Sequence, residues 1–575
     1  MIRRWVALLA VLSLGACGVG AGGGDSTGSG GPAFLRMFGG QSESPAPSEA
    51  DAGRLLSQAT FGATDASIDA VRAGTIPDWI QGQIALPPPA QTHRANVDAR
   101  LAQLIATNPT ATLGAEHFYE TWWRTAVTSP DQLRQRVAFA YSQIFVISLN
   151  TDVIDIRGAA SYYDMLTANA FVNYRTLLEN VTLHPMMGRY LTYLANQKED
   201  AAGTRTPDEN YAREVLQLMS TGLVELNPDG TPKLDINNKP LPAYTPADIS
   251  GLAKVFTGLS WYNATPTNTT FFGGNRAADA SVRPMIFYNQ HHSISQKAFL
   301  GTTIPATTTA NGAADLAIAL DTLFNHPNVG PFMARQMIQR LVTSNPSPAY
   351  VQRVAAVFNN NGSGVRGDMA AVVAAILTDT EARSTTLADD PGYGKLREPV
   401  LRMTHWMRAF GATSTTGLWR VQSTSGNTSL GQSPLASPSV FNFFRPGYVP
   451  PGTTELGSRM RNAPEFQIVD EVTTAGYVNT MNLAITSGLG TSNDVRSAYA
   501  AELAIAGNAD QLLDRMNRLL LSGQMSPTLR GRVLSAVNSI VIPASPQSAI
   551  DQARLNRVRT AILLVMASPE YLVQR

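Results

Sequence analysis

The chain of 575 residues holds a single cysteine, Cys17. A lone thiol excludes disulfides, thiolate metal sites and a cysteine nucleophile anywhere after it. Charge is scarce as well. Asp, Glu, Lys and Arg make up 15% of the residues, and 44 basic against 43 acidic side chains leave a net charge of +1. So even a balance leaves no electrostatic footprint for nucleic acid, and the surface must rely on Ser, Thr, Asn and Gln. Long apolar runs are missing too: after the N-terminus the best, Met369 to Thr378 and Ala561 to Ala567, are too short to span a bilayer. Complete catalytic signatures are absent. There is no His-Glu-x-x-His, and Gly394-Lys395 lacks the rest of a phosphate loop. The Gly-x-Ser-x-Gly match, Gly24 to Gly28, has no strand–turn–helix around it. Asp235 to Asn238 begins like a calcium loop but meets Pro240 where glycine is needed. No metal and no cofactor are expected.

What the N-terminus has is an address. Arg3 and Arg4 precede an apolar run, Trp5 to Leu14, and two small residues, Gly15 and Ala16, lead to Cys17. That order is a secretory signal. Its end, Leu14-Gly15-Ala16-Cys17, resembles the lipobox of bacterial lipoproteins, which implies cleavage before Cys17 and acylation of that residue. Several acyl chains make a stable anchor where one holds only marginally, so membrane lipid is an expected partner. Gly18, where Asp would retain a lipoprotein at the inner membrane, implies an outer-membrane position. The expected division is a signal peptide over 1–16, lipidated Cys17 with a Gly/Ser/Pro tether over 17–50, and a folded body over 51–575. As a flexible coil the tether would span roughly 30 Å.

The body is predicted to be mainly α: a large multi-helix unit with at most one small β-hairpin. Helix starts recur as a capping residue followed by proline, at Ser129, Thr206, Thr245, Ser347, Ser526, Ser545 and Ser568. After Ser129, Leu133, Val137, Tyr141, Ile144 and Phe145 carry one helical stripe. The strand candidates are Met285 to Tyr288 and Lys297 to Leu300. His184-Pro185 and His326-Pro327 read as two helix–helix corners, with each histidine in a capping role.

Several stretches match a known pattern. Arg54-Leu55-Leu56 with Ala59-Thr60-Phe61-Gly62, Glu209-Asn210-Tyr211-Ala212-Arg213-Glu214, Lys395-Leu396-Arg397-Glu398-Pro399 and Ser437 to Phe444 carry it. Together they resemble the bacterial family catalogued as domain of unknown function 1800, from Arg54 to the end. The resemblance implies export. It also implies a partner, since members are often encoded beside an exported protein of the alkaline phosphatase or sulfatase type. Gln217, Met219 and Ser293 stand where the family often has Glu, His and Asp, which argues against a metal mechanism here.

Chemistry, if any, centres on two places. At 100° per residue, Glu209, Asn210, Arg213, Glu214 and Gln217 share one arc of their helix. Periodicity favours a capped, solvated face, with Thr206 and Glu209 forming a capping box and Arg213 pairing along the helix. The sharper reading makes Glu214 a general acid or base oriented by Asn210 and Arg213. The second place is His292, beside His291 and before Lys297. Seven tryptophans and the Phe441 to Phe444 cluster read as core. Two functions stay open: a surface binding or assembly module for an extracellular polymer such as polysaccharide, or a hydrolase or lyase using Glu214 with His292 or Lys297.

Overall fold

The computed structural model describes residues 46–390, 392–452 and 455–575. Cys17, the leader and residues 18–45 of the expected tether lie outside the described residues. The first helix is Glu49–Ala59, capped by the Ser48 hydroxyl on the Asp51 amide. That helix begins inside the range read as tether, two residues before position 51.

Among the described residues twenty-six α-helices carry the architecture. Thr245 caps Pro246–Val255 in a full capping box with Asp248, and Ser347, Ser526 and Ser568 cap helices that open on proline. Three expected starts shift. Asp131 rather than Ser129 precedes Gln132–Ser142, and Pro546 itself precedes Gln547–Met566. Thr206-Pro207 starts nothing. There the chain runs on to Glu209, and Asp208 takes the amide of Asn210.

Helix Gln132–Ser142 is buried on every side, so the expected stripe is only part of its contact surface. Both His-Pro corners form: His184 accepts from the Met186 amide and His326 from the Asn328 amide. The aromatic core includes Trp122, Trp123 and Trp406, all fully buried.

The body is mainly α-helical as expected, and it holds one small hairpin beside three short pairings of distant segments. Four two-stranded antiparallel pairs are present among the described residues. Lys297–Phe299 with Thr302–Ile304 is a tight hairpin, whose turn residues Leu300 and Gly301 both have positive φ, as a primed two-residue turn requires. Ile286–Phe287 instead pairs with Leu259–Ser260. Thr413–Ser414 meets Val495–Arg496, and Lys395–Leu396 meets Val573–Gln574 near the C-terminus. Strands of two residues carry no alternating pattern, so nothing local announces them.

One hydrophobic core runs from Ala52 to Tyr571. Buried arginines fasten distant segments across it. Arg54 donates to the carbonyls of Ala382, Arg383 and Ser384, and Arg408 to those of Gly62 and Val127. Gly62 must be glycine: its φ is +134° and a Cβ there would lie 2.5 Å from the His405 Cα.

Candidate functional site

The central helix is shorter than its motif, Asn210–Gln217. It closes at Gly222, whose amide and that of Thr221 both return to the Leu216 carbonyl. The Arg213 guanidinium pairs with Glu209 at 3.3 Å, both groups well exposed. Glu209 also accepts from Ser250 at 2.5 Å. Asn210 donates to Thr192 and not to Glu214. The predicted capping box therefore does not form, while the Glu209–Arg213 pair does.

Glu214 is the exception on this face. It is only 7% exposed, and its Oε2 is buried without a hydrogen-bond partner. Burial pushes its carboxyl above the usual range, with Arg213 pulling the other way. Two phenols lie close enough to feel it. Burial pushes Tyr190 up, the Ser437 hydroxyl draws it down, and Glu214 adds to the rise. Burial raises Tyr244 as well, with Arg213 opposing and Glu214 reinforcing. Tyr190 closes the short helix Pro185–Tyr190.

His292 and Lys297 are brought together elsewhere. Both are fully buried and both reach Asp315 Oδ2, at 3.0 Å and 2.9 Å. His292 Nδ1 lies 2.7 Å from the Thr257 carbonyl, and Lys297 donates to Ser293 O at 2.7 Å. This cluster pins the hairpin to helix Gly312–Asn325. His291 turns away and stacks on Phe271. No hydrogen bond or ion pair among the described residues joins Glu214 to His292 or Lys297.

A third cluster escaped the sequence reading. Lys395, held on its strand, lies 2.8 Å from Glu465 and 3.8 Å from Glu398, all buried. Glu398 accepts from Gln143 at 2.5 Å and Gln432 at 2.6 Å, and burial pushes Glu465 up against the pull of Lys395. Beside it lies a small cavity lined by Gln143, Ser433, Ser437 and Asn442 among others. Of these side chains, Gln143 Oε1 and Asn442 Nδ2 are buried without a partner. The available signal was Lys395 and Glu398 three residues apart before a proline-led helix, yet spacing alone could not tell a buried pair from a solvated one. Among the described residues, no three His, Cys, Asp or Glu side chains are grouped to hold a metal ion.

A family model described as a protein of unknown function, DUF1800, matches residues 54–573. The chain belongs to the DUF1800 family. No curated protein and no solved structure matches it. In this DUF1800 chain two of the stretches that carried the resemblance, Lys395 to Pro399 and Ser437 to Phe444, meet at one cavity. Glu214 and Ser437 both act on the Tyr190 phenol, and Ser437 and Asn442 line the cavity beside the Lys395–Glu398 pair.

Proposed function

We propose that this DUF1800 protein is an envelope-anchored binding module for a hydroxyl-rich extracellular polymer, a polysaccharide, and that it works with an exported partner. The observation that carries the reading is the carboxyl of Glu214, nearly buried with one oxygen unpartnered. An unsatisfied buried acceptor costs about 1–3 kcal/mol. A sugar hydroxyl is the donor that would relieve it, and the neighbouring Tyr190 and Tyr244 offer aromatic surface for a pyranose ring. Acylated Cys17 would hold the module at the membrane, with the outer membrane as its place. Binding of the whole protein to a panel of bacterial and plant polysaccharides, with Glu214→Gln beside it, tests the reading. Loss of binding in a folded variant supports it; unchanged binding rejects it.

The second reading is a hydrolase or lyase. Its support is that a carboxyl pushed upward keeps a proton to donate. His292 and Lys297, engaged with Asp315, would then need a substrate long enough to reach both clusters. New reducing ends in the same polysaccharide panel, lost in Glu214→Gln, would favour this reading over simple binding.

A further inference from the structure

We infer that a cleft beside the central helix binds the carboxylate of a sugar acid, so that the polymer proposed above is a uronate-containing one. The inference rests on that polymer reading and adds a site to it. The cleft has a volume of about 250 Å³ and is lined by Thr221, Gly222, Leu223, Arg335, Gln339 and Pro446 among others. It opens where the left-handed turn at Gly222, with φ +72°, meets the Pro446-Gly447 segment. Ligand pockets for larger molecules start near 300 Å³, so this one suits a single small unit such as one sugar ring.

Two unpaired groups give the cleft its chemistry. Arg335, on helix Val329–Leu341, is half-buried, yet its side chain makes no ion pair or hydrogen bond among the described residues. Other arginines in similar surroundings are engaged. Arg340 on the same helix donates to Gln336 and to the Gln143 carbonyl, and Arg366 donates to the carbonyls of Phe324 and His326. Burial pulls the Arg335 guanidinium down with no carboxylate opposing it. The second group is Gln339. It is 3% exposed, its amide nitrogen is committed to Ser344 and Pro446, and its Oε1 is buried without a partner.

A planar guanidinium fork matches a carboxylate through two parallel hydrogen bonds. An amide oxygen nearby takes a hydroxyl. A carboxylate with a hydroxyl on a neighbouring carbon is the arrangement of a hexuronate ring. Phe332 and Leu223 supply apolar surface for its C–H face.

The test is thermal unfolding of the full-length protein in detergent with galacturonate, with galactose, and with no sugar. Galacturonate should raise the melting temperature and galactose should not, since a ligand of the native state stabilises by mass action. Arg335→Gln should weaken the galacturonate response at least ten-fold in concentration. Leu223→Glu, at an exposed position, should do the same by placing a carboxylate at the cleft. An unchanged response in either folded variant, or an equal response to galactose, overturns the inference. Glu214→Gln separates the two claims. Lost polymer binding with a galacturonate response independent of Arg335 leaves the polymer reading standing and the cleft assignment wrong. An Arg335-dependent response with polymer binding untouched by Glu214→Gln gives the reverse.

Discussion

A carboxyl held out of water without a donor is better tolerated protonated than charged, and Glu214 is held that way. Because its folded-state pKa lies above the unfolded one, the native state binds more protons across the window between them, and stability falls as pH rises through it. Below the ordinary glutamate value, 4.5, both states are protonated and the penalty is absent. Glu214→Gln should therefore raise the urea midpoint at neutral pH and leave it unchanged near pH 3, about one and a half units below the reference value. Equal effects at both pH values would show that the side chain is not desolvated. The sequence placed Glu214 on a polar arc with Arg213, and periodicity pointed to water. What it could not show is that Arg213 leans to Glu209, while Glu214 is buried with one oxygen unpartnered. Asp315 makes the opposite case. It is the shared partner of His292 and Lys297, so Asp315→Ala should cost about 3–5 kcal/mol by leaving a buried ammonium unpaired. Denaturant unfolding reads this directly; a cost under about 1 kcal/mol would mean the pair is solvated.

At the scale of elements, capping chemistry was legible where the cap and its proline stand alone, as at Thr245, Ser347, Ser526 and Ser568. It misled at Thr206, where Asn196 takes the Asp208 amide and Asp208 in turn takes that of Asn210, delaying the helix. These are tertiary choices that local spacing does not encode. The same holds for strand Lys395–Leu396, where Lys395 faces Gln574, 179 positions further along the chain. That strand delivers Lys395 to two buried carboxylates. Lys395→Met should destabilise by about 3–5 kcal/mol, because Glu465 and Glu398 both lose the ammonium they pair with. The double variant with Glu465→Gln should recover part of that loss, since the two sites share one interaction. Simple additivity in the cycle would contradict the coupling.

At the scale of the whole molecule, the mainly helical character was legible because long periodic segments outnumber everything else. The closure was not. Tyr571 donates to the Arg402 carbonyl, Gln574 to that of Leu341, and Leu572 receives the Arg397 amide. Removing residues 571–575 should expose the Lys395 cluster and make the body sensitive to limited proteolysis; an equally resistant truncation would show that the tail is ornamental. The envelope address proposed above depends on acylation of Cys17, so Cys17→Ser should release the protein from membranes at high salt with its helical circular dichroism unchanged.

The central claim, that Glu214 marks a ligand site for a polysaccharide, is tested most directly by equilibrium binding of the full-length protein and of Glu214→Gln to the same polysaccharide panel. Hydrogen bonds to charged groups contribute about 1.5–3 kcal/mol, so the variant should bind the recognised polymer at least about ten-fold more weakly. Its melting temperature at neutral pH should equal or exceed that of the native protein. A folded Glu214→Gln that binds every polymer as the native protein does would contradict the claim.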